Sequence, residues 1–258
     1  MLLNKSQNLV IHKARARYIY MDGVKILHSI QRFSRAVFKE DGWELCAKEA
    51  VPKGKGQKSI GDASRRRAQK KIFEYAMCNE HLNAFFTITY AEGEGFDRTQ
   101  YDHVYPVLKR WLSNHVQRKG LSYIMVAERH KKGGIHFHGI CNADALRLRI
   151  ATNAHTGEAI TDRGRPVYNI ADWEKMGFST CKILPTNVQD RVKVSKYITK
   201  YITKDTEKIG GRWFLHGGNV KGWAYEYGEE AEDFTKDTPR EWWCCTTEGG
   251  EYTEYQYL

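Results

Sequence analysis

The sharpest pattern of apolar and polar positions begins at residue 84. Ala84-Phe-Phe-Thr-Ile-Thr-Tyr90 is a β-branched and aromatic run that predicts a buried strand, and Gly93 and Gly95 mark the loop behind it. Val104, Val107, Leu108, Trp111, Leu112 and Val116 then recur at helical intervals, with Gly120 after Arg118 and Lys119 as a stop. Pro106 predicts that this helix begins late or bends there. Residues 122–128 and 135–140 read as two further strands, 143–150 as a short helix, and 151–170 as an exposed loop or hairpin. Last, Val194, Ile198 and Ile202 align on one stripe at 100° per residue, and Thr186-Asn-Val-Gln189 has the capping-box spacing that would start such a helix.

The first 80 residues are less regular. Arg17-Tyr-Ile-Tyr-Met-Asp22-Gly23-Val-Lys-Ile-Leu-His28 predicts a hairpin turned by Asp-Gly. Val51-Pro-Lys-Gly-Lys-Gly-Gln-Lys58 is a Gly/Lys loop through which no phosphate-loop spacing can be drawn, so neither an ATPase motor nor a bound small-molecule nucleotide is expected. A helix follows from about Asp62 to Met77, with Arg65, Arg66 and Arg67 in its first turns.

Charge sharpens this picture. The chain of 258 residues carries a net +10, but residues 222–258 hold ten acidic and two basic side chains, leaving +18 on residues 1–221. A basic body with an acidic, aromatic tail fits a nucleic-acid partner better than a membrane. The longest apolar runs are far below the roughly 18 residues needed to span a bilayer, and no signal peptide is read. The six cysteines form no C-x-x-C pair, which predicts reduced thiols rather than a structural zinc site. These features together predict a soluble protein of the cytoplasm.

Two stretches carry candidate chemistry. In Ile135-His136-Phe137-His138-Gly139-Ile140 the two imidazoles point to one face of a strand. If Arg129 pairs with Ile135 across the loop His130-Lys131-Lys132-Gly133-Gly134, Glu128 falls opposite His136. Two imidazoles and a carboxylate then suit a divalent ion, with room for Mg²⁺ or Mn²⁺ as well as Zn²⁺. His130 is a rival ligand, and Lys131 and Lys132 are placed to meet phosphates. The second stretch is Tyr197-Ile-Thr-Lys200-Tyr201-Ile-Thr-Lys204, two Y-x-x-K units one helical turn apart. A phenol with a pKa of about 10 is a weak nucleophile at neutral pH. A lysine one turn away and a metal-polarised phosphate both make its attack on a phosphodiester feasible.

With these residues in view, the chain resembles replication initiators of the HUH (histidine–hydrophobe–histidine) endonuclease superfamily, which start rolling-circle replication of small phages and plasmids. Phe85-Phe-Thr-Ile-Thr-Tyr90 resembles the family's first strand motif, His136-Phe137-His138 its metal motif, and the segment from Tyr197 to Lys204 its nucleophile motif in the two-tyrosine form. The resemblance covers about residues 80–206. It implies an α+β fold, a central antiparallel sheet of about five strands with flanking helices. It implies Glu128, His136 and His138 as ligands of Mg²⁺ or Mn²⁺, and Tyr197 and Tyr201 as nucleophiles with Lys200 and Lys204 beside them. Arg129, Lys131 and Lys132 become candidate DNA contacts. The implied activity is nicking and closing of one strand of origin DNA through a 5′-phosphotyrosine link, leaving a 3′-hydroxyl for polymerase.

The expected organisation is a basic N-terminal extension (1–80), either separate or a layer of the same domain, an endonuclease core (81–221) and an acidic aromatic tail (222–258). The expected partners are single-stranded origin DNA, adjoining duplex, and host helicase and polymerase in a bacterial cell. A transposase or relaxase of the same chemistry and a non-catalytic single-strand-binding module are the alternatives. Which tyrosine attacks first is left open by the sequence.

Overall fold

The computed structural model describes residues 10–21, 24–39, 42–45, 60–185, 188–204, 208–228, 241–247 and 250–256. They divide into two units, residues 58–222 and a second formed from 1–57 together with 223–258. In the second unit, strands β1 (Val10–Met21), β2 (Val24–Lys39) and β3 (Gly42–Leu45) form an antiparallel series. Met21 pairs with Val24, the register expected of the hairpin read around Asp22-Gly23; those two residues, like the Gly/Lys loop at 51–58, lie outside the described residues.

In the 58–222 unit the elements run α1 (Ile60–Met77), β4 (Ala84–Tyr90), α2 (Tyr101–Lys119), β5 (Tyr123–Arg129), β6 (Ile135–Cys141), β7 (Leu148–Ile150), β8 (Thr161–Asp162), β9 (Arg165–Pro166), β10 (Tyr168–Ile170), β11 (Gly177–Ile183), α3 (Val188–Lys204) and β12 (Leu215–Gly217). The tail of the chain then returns to the other unit. Strand β13 (Ala224–Gly228) pairs with β1, while β15 (Gly250–Gln256) lies between β2 and β14 (Glu241–Thr247). The acidic tail thus supplies strands to the sheet built by the basic N-terminal strands, with Glu251 opposite Arg32 in register.

The larger unit is an α+β fold around a seven-stranded sheet, in the order β12-β5-β6-β4-β11-β10-β7, each neighbouring pair antiparallel. The alternation of strand side chains assigns the two faces. On one, Phe86, Ile88, Tyr90, Tyr123, Met125 and Phe137 pack against Val104, Leu108, Trp111 and Leu112 of α2 and against Trp173. On the other, Ile124, Val126 and Ile140 pack against Ala68, Ile72 and Ala76 of α1 and against Ile198, Tyr201 and Ile202 of α3. Helices cover both faces, and the site residues lie on the second.

The α+β class and the central antiparallel sheet are those expected from the sequence, with the sheet larger, at seven strands against about five. Other expectations are corrected. Helix α2 runs through Pro106 from Tyr101 instead of beginning late. With only the first turn ahead of it, the ring forgoes a single intrahelical bond, the one its missing N–H would make to the Asp102 carbonyl. Residues 143–150 are not a helix: one 3-10 turn (Ala143–Ala145) is followed by β7, which pairs with β10. The capping-box residues Thr186 and Asn187 lie outside the described residues. Among the described residues no helix is long and apolar enough to cross a membrane, and Cys78, Cys141 and Cys181 are free thiols.

Buried Arg191 joins the two helices of the site face. Its guanidinium donates to the carbonyls of Ala76 and Asn79 at 2.9 Å and to that of Glu80, satisfying acceptors left over where α1 ends. Arg191→Met strands these carbonyls and is expected to cost roughly 2–3 kcal/mol. Urea unfolding reads this as a lowered midpoint, and an unchanged midpoint would show that α3 is seated by its apolar stripe alone.

Candidate active site

The site is built on the hairpin of β5 and β6. Arg129 pairs with Ile135 and Glu128 lies opposite His136, as the sequence register anticipated. The direct contact is diagonal: Glu128 Oε2 lies 2.8 Å from His138 Nε2. Gly139, beside His138, permits this closeness. A Cβ there would lie 2.3 Å from the Ile124 carbonyl oxygen and 2.8 Å from Met125 Cβ, so any side chain would force β5 and β6 apart.

Both imidazoles are held from β4. Thr87 Oγ1 lies 3.0 Å from His138 Nδ1, and Thr89 Oγ1 lies 3.0 Å from His136 Nδ1. Each threonine sits directly opposite its histidine in the β4–β6 register. Engaging Nδ1 leaves Nε2 of each ring for another partner. Sequence reading gave these threonines no role, although Thr-Ile-Thr has the same i, i+2 spacing as His-Phe-His and therefore shows both hydroxyls on one face. Trp173 braces this strand from the opposite side, its indole N–H donating to the Thr89 carbonyl at 3.2 Å.

Burial foremost, then the neighbouring His130, holds the His136 pKa below the usual imidazole range, against an opposing pull from Glu128. The neutral ring this favours is the ligand form. His130 stacks on His136, with ring centres 5.1 Å apart. The donor set fits a divalent cation by its chemistry: two imidazoles oriented by hydroxyls, plus a carboxylate. Adjacent donors around a Mg²⁺-sized ion lie about 3 Å apart, and the Glu128–His138 contact matches this. The His136 and His138 rings are 6.3 Å apart, and among the described residues no three donors enclose a common point. Thr87→Val is expected to weaken Mn²⁺ affinity about 10- to 100-fold by freeing the His138 ring. Calorimetric titration measures this, and wild-type affinity would contradict the orienting role.

Helix α3 carries the tyrosines over this hairpin. Tyr201 is buried and its ring lies flat on His138, with centres 4.0 Å apart and planes 7° apart. Tyr197 is 46% exposed and meets Phe85 edge-on at 5.4 Å. The Tyr201 hydroxyl donates to the Tyr197 oxygen at 2.6 Å. The sequence stripe placed both phenols along the edge of the apolar face; in the structure Tyr201 belongs to the core and Tyr197 to the surface. Burial first, then the bond to Tyr197, raises the Tyr201 pKa well above the phenol range, so Tyr201 remains the protonated donor of the pair. Lys200 is exposed and its ammonium lies 5.7 Å from the centre of the Tyr197 ring. Lys204 closes α3, and its side chain lies outside the described residues.

The remaining candidates lie at the open end of the hairpin. Lys131 and Lys132 are exposed in the β5–β6 loop, next to the ring of His130. Arg129 is exposed, with its guanidinium donating to the Thr99 carbonyl at 2.8 Å.

Searches of curated proteins and of solved structures return no match. Residues 83–206, a span that holds β4, the β5–β6 hairpin and α3, match a family model of replication-associated proteins of the ORF2 type, and this match supports a replication initiator.

Proposed function

We propose that this protein nicks one strand of origin DNA by tyrosine attack to start rolling-circle replication, as a two-tyrosine HUH endonuclease of a phage or plasmid. The observation that carries the reading is the juxtaposition on one sheet face. Two phenol oxygens 2.6 Å apart lie beside an imidazole that is itself 2.8 Å from a carboxylate. Glu128, His136 and His138 would hold Mg²⁺ or Mn²⁺, and such an ion supplies Lewis-acid polarisation of the scissile phosphate.

Tyr197 is the first nucleophile on this account, because its oxygen is the accessible one and already accepts the Tyr201 proton. That bond stabilises negative charge on Tyr197 as its own proton leaves, and Lys200 adds a cation nearby. The Tyr197 oxygen bonds to phosphorus as the P–O3′ bond breaks. The electron pair leaves on the 3′ oxygen, which takes up a proton and becomes the primer hydroxyl. The 5′ phosphate stays on the tyrosine, so the bond energy is retained and rejoining needs no nucleotide. Tyr201, one helical turn on, can perform the second transfer. Lys204 belongs to the same motif. Arg129, Lys131 and Lys132 approach the phosphates of the bound strand, and host polymerase and helicase extend and unwind from the nick.

The test is to incubate the protein with Mn²⁺ or Mg²⁺ and single-stranded DNA of its own replicon, followed by a denaturing gel. The reading predicts a covalent protein–DNA band that is lost with EDTA and in the Tyr197→Phe/Tyr201→Phe double variant. Binding without any adduct would favour the non-catalytic single-strand-binding module instead. Transposon ends or a transfer origin, if cleaved in preference to a replication origin, would shift the reading to a transposase or relaxase.

A further inference from the structure

Helices α1 and α3 pack on β5 and β6, at one side of the seven-stranded sheet. On the same face the sheet continues through β4 to β11, which carries Phe178, Thr180 and Lys182. Phe178 is 62% exposed although β11 is an inner strand with neighbours on both sides.

The register ties this ring to the site. Phe178 pairs with Thr89, Thr89 with His136, and His136 with Glu128, one unbroken row across four strands. Phe178 is therefore two strand spacings, about 10 Å, from His136. Two rows along, Lys182 pairs with Phe85, the residue whose ring touches Tyr197. Lys182 also bonds Asp162 at 2.8 Å, which draws the β8–β9 hairpin and its exposed turn residue Arg163 towards the same face. The 58–222 unit as a whole carries 28 Lys and Arg against 16 Asp and Glu, a net of +12.

We propose that Phe178 is a base-stacking platform for single-stranded DNA, holding a nucleotide next to the scissile phosphate. A duplex hides the faces of its bases, whereas a single strand offers them to an aromatic ring, and the basic unit suits the strand's backbone. The inference rests on the nicking reading for its orientation, since it runs the strand from Tyr197 across β4 to β11.

The experiment measures binding of a fluorescein-labelled oligothymidine of about 20 nucleotides to the full chain, in EDTA so that no cleavage intervenes. Phe178→Ala is expected to raise Kd roughly tenfold, Phe178→Trp to restore it to within about threefold, and affinity for a duplex to stay unchanged in both. Equal oligothymidine affinity for Phe178→Ala and the parent chain would overturn the proposal. So would an effect of Phe178→Ala confined to oligomeric state, which would make the ring a contact between copies. The two readings fail separately. Adduct formation with Phe178-independent binding removes the platform and keeps the nickase, whereas Phe178-dependent binding without adduct does the reverse.

Discussion

His136→Ala/His138→Ala lowers strand cleavage by about 10³-fold or more and abolishes its dependence on Mn²⁺. The two rings are the nitrogen donors of the site, each fixed through Nδ1 by a threonine of the neighbouring strand. Without them Glu128 is the single remaining donor of the proposed set, and one carboxylate is a poor trap for a divalent ion. A second readout separates this from simple misfolding. Mn²⁺ raises the melting temperature of the parent chain by mass action, and in the double variant that rise disappears. Because Tyr201 stacks on His138, the single His136→Ala variant serves as the structural control: it keeps the stack and loses one ligand. Cleavage and metal-induced stabilisation persisting in the double variant would remove the metal centre from these strands.

The second large effect separates the two phenols. Tyr197→Phe is expected to reduce adduct formation by about 10³-fold or more. Tyr201→Phe should leave the first adduct detectable at a rate about tenfold lower, the consequence of losing one donated hydrogen bond to the nucleophile. The asymmetry follows from burial and bond direction: Tyr201 is 6% exposed and donates, Tyr197 is 46% exposed and accepts. Rejoining, assayed separately with a pre-formed adduct, should depend on Tyr201. Equal loss of the first adduct in both single variants would mean that the phenols act as one unit; loss in Tyr201→Phe alone would reverse the assignment.

The part of the site that strand and helix periodicity can express was legible before the fold was known. His-x-His on one face, Glu128 in register across a five-residue loop, and tyrosines one turn apart all follow from periods of 2 and 3.6. What could not be read was depth. Tyr197 and Tyr201 are equivalent by spacing, and only the packing of α3 on the sheet buries one and exposes the other. The missed elements share a different cause. Strand β11 intersperses Ser, Thr and Lys with an exposed Phe, so it lacks the apolar run that marks β4. Residues 143–150 contain good helix formers, yet Leu148–Ile150 becomes a strand because β10, some twenty residues later, supplies its partner. The same limit governs the second unit, where β1 pairs with β13 and β2 with β15. Pairings between the two ends of a chain are tertiary facts, to which local propensity contributes little.

The most direct test of the central claim is mass spectrometry of the proteolysed reaction product formed with Mn²⁺ and single-stranded origin DNA. The account predicts a nucleotide phosphate on the peptide containing Tyr197, no such peptide in Tyr197→Phe, and a free 3′-hydroxyl on the released strand. Cleavage with a 5′ phosphate free in solution and no modified tyrosine would contradict it, because the nick would then be hydrolysis rather than transfer to the protein.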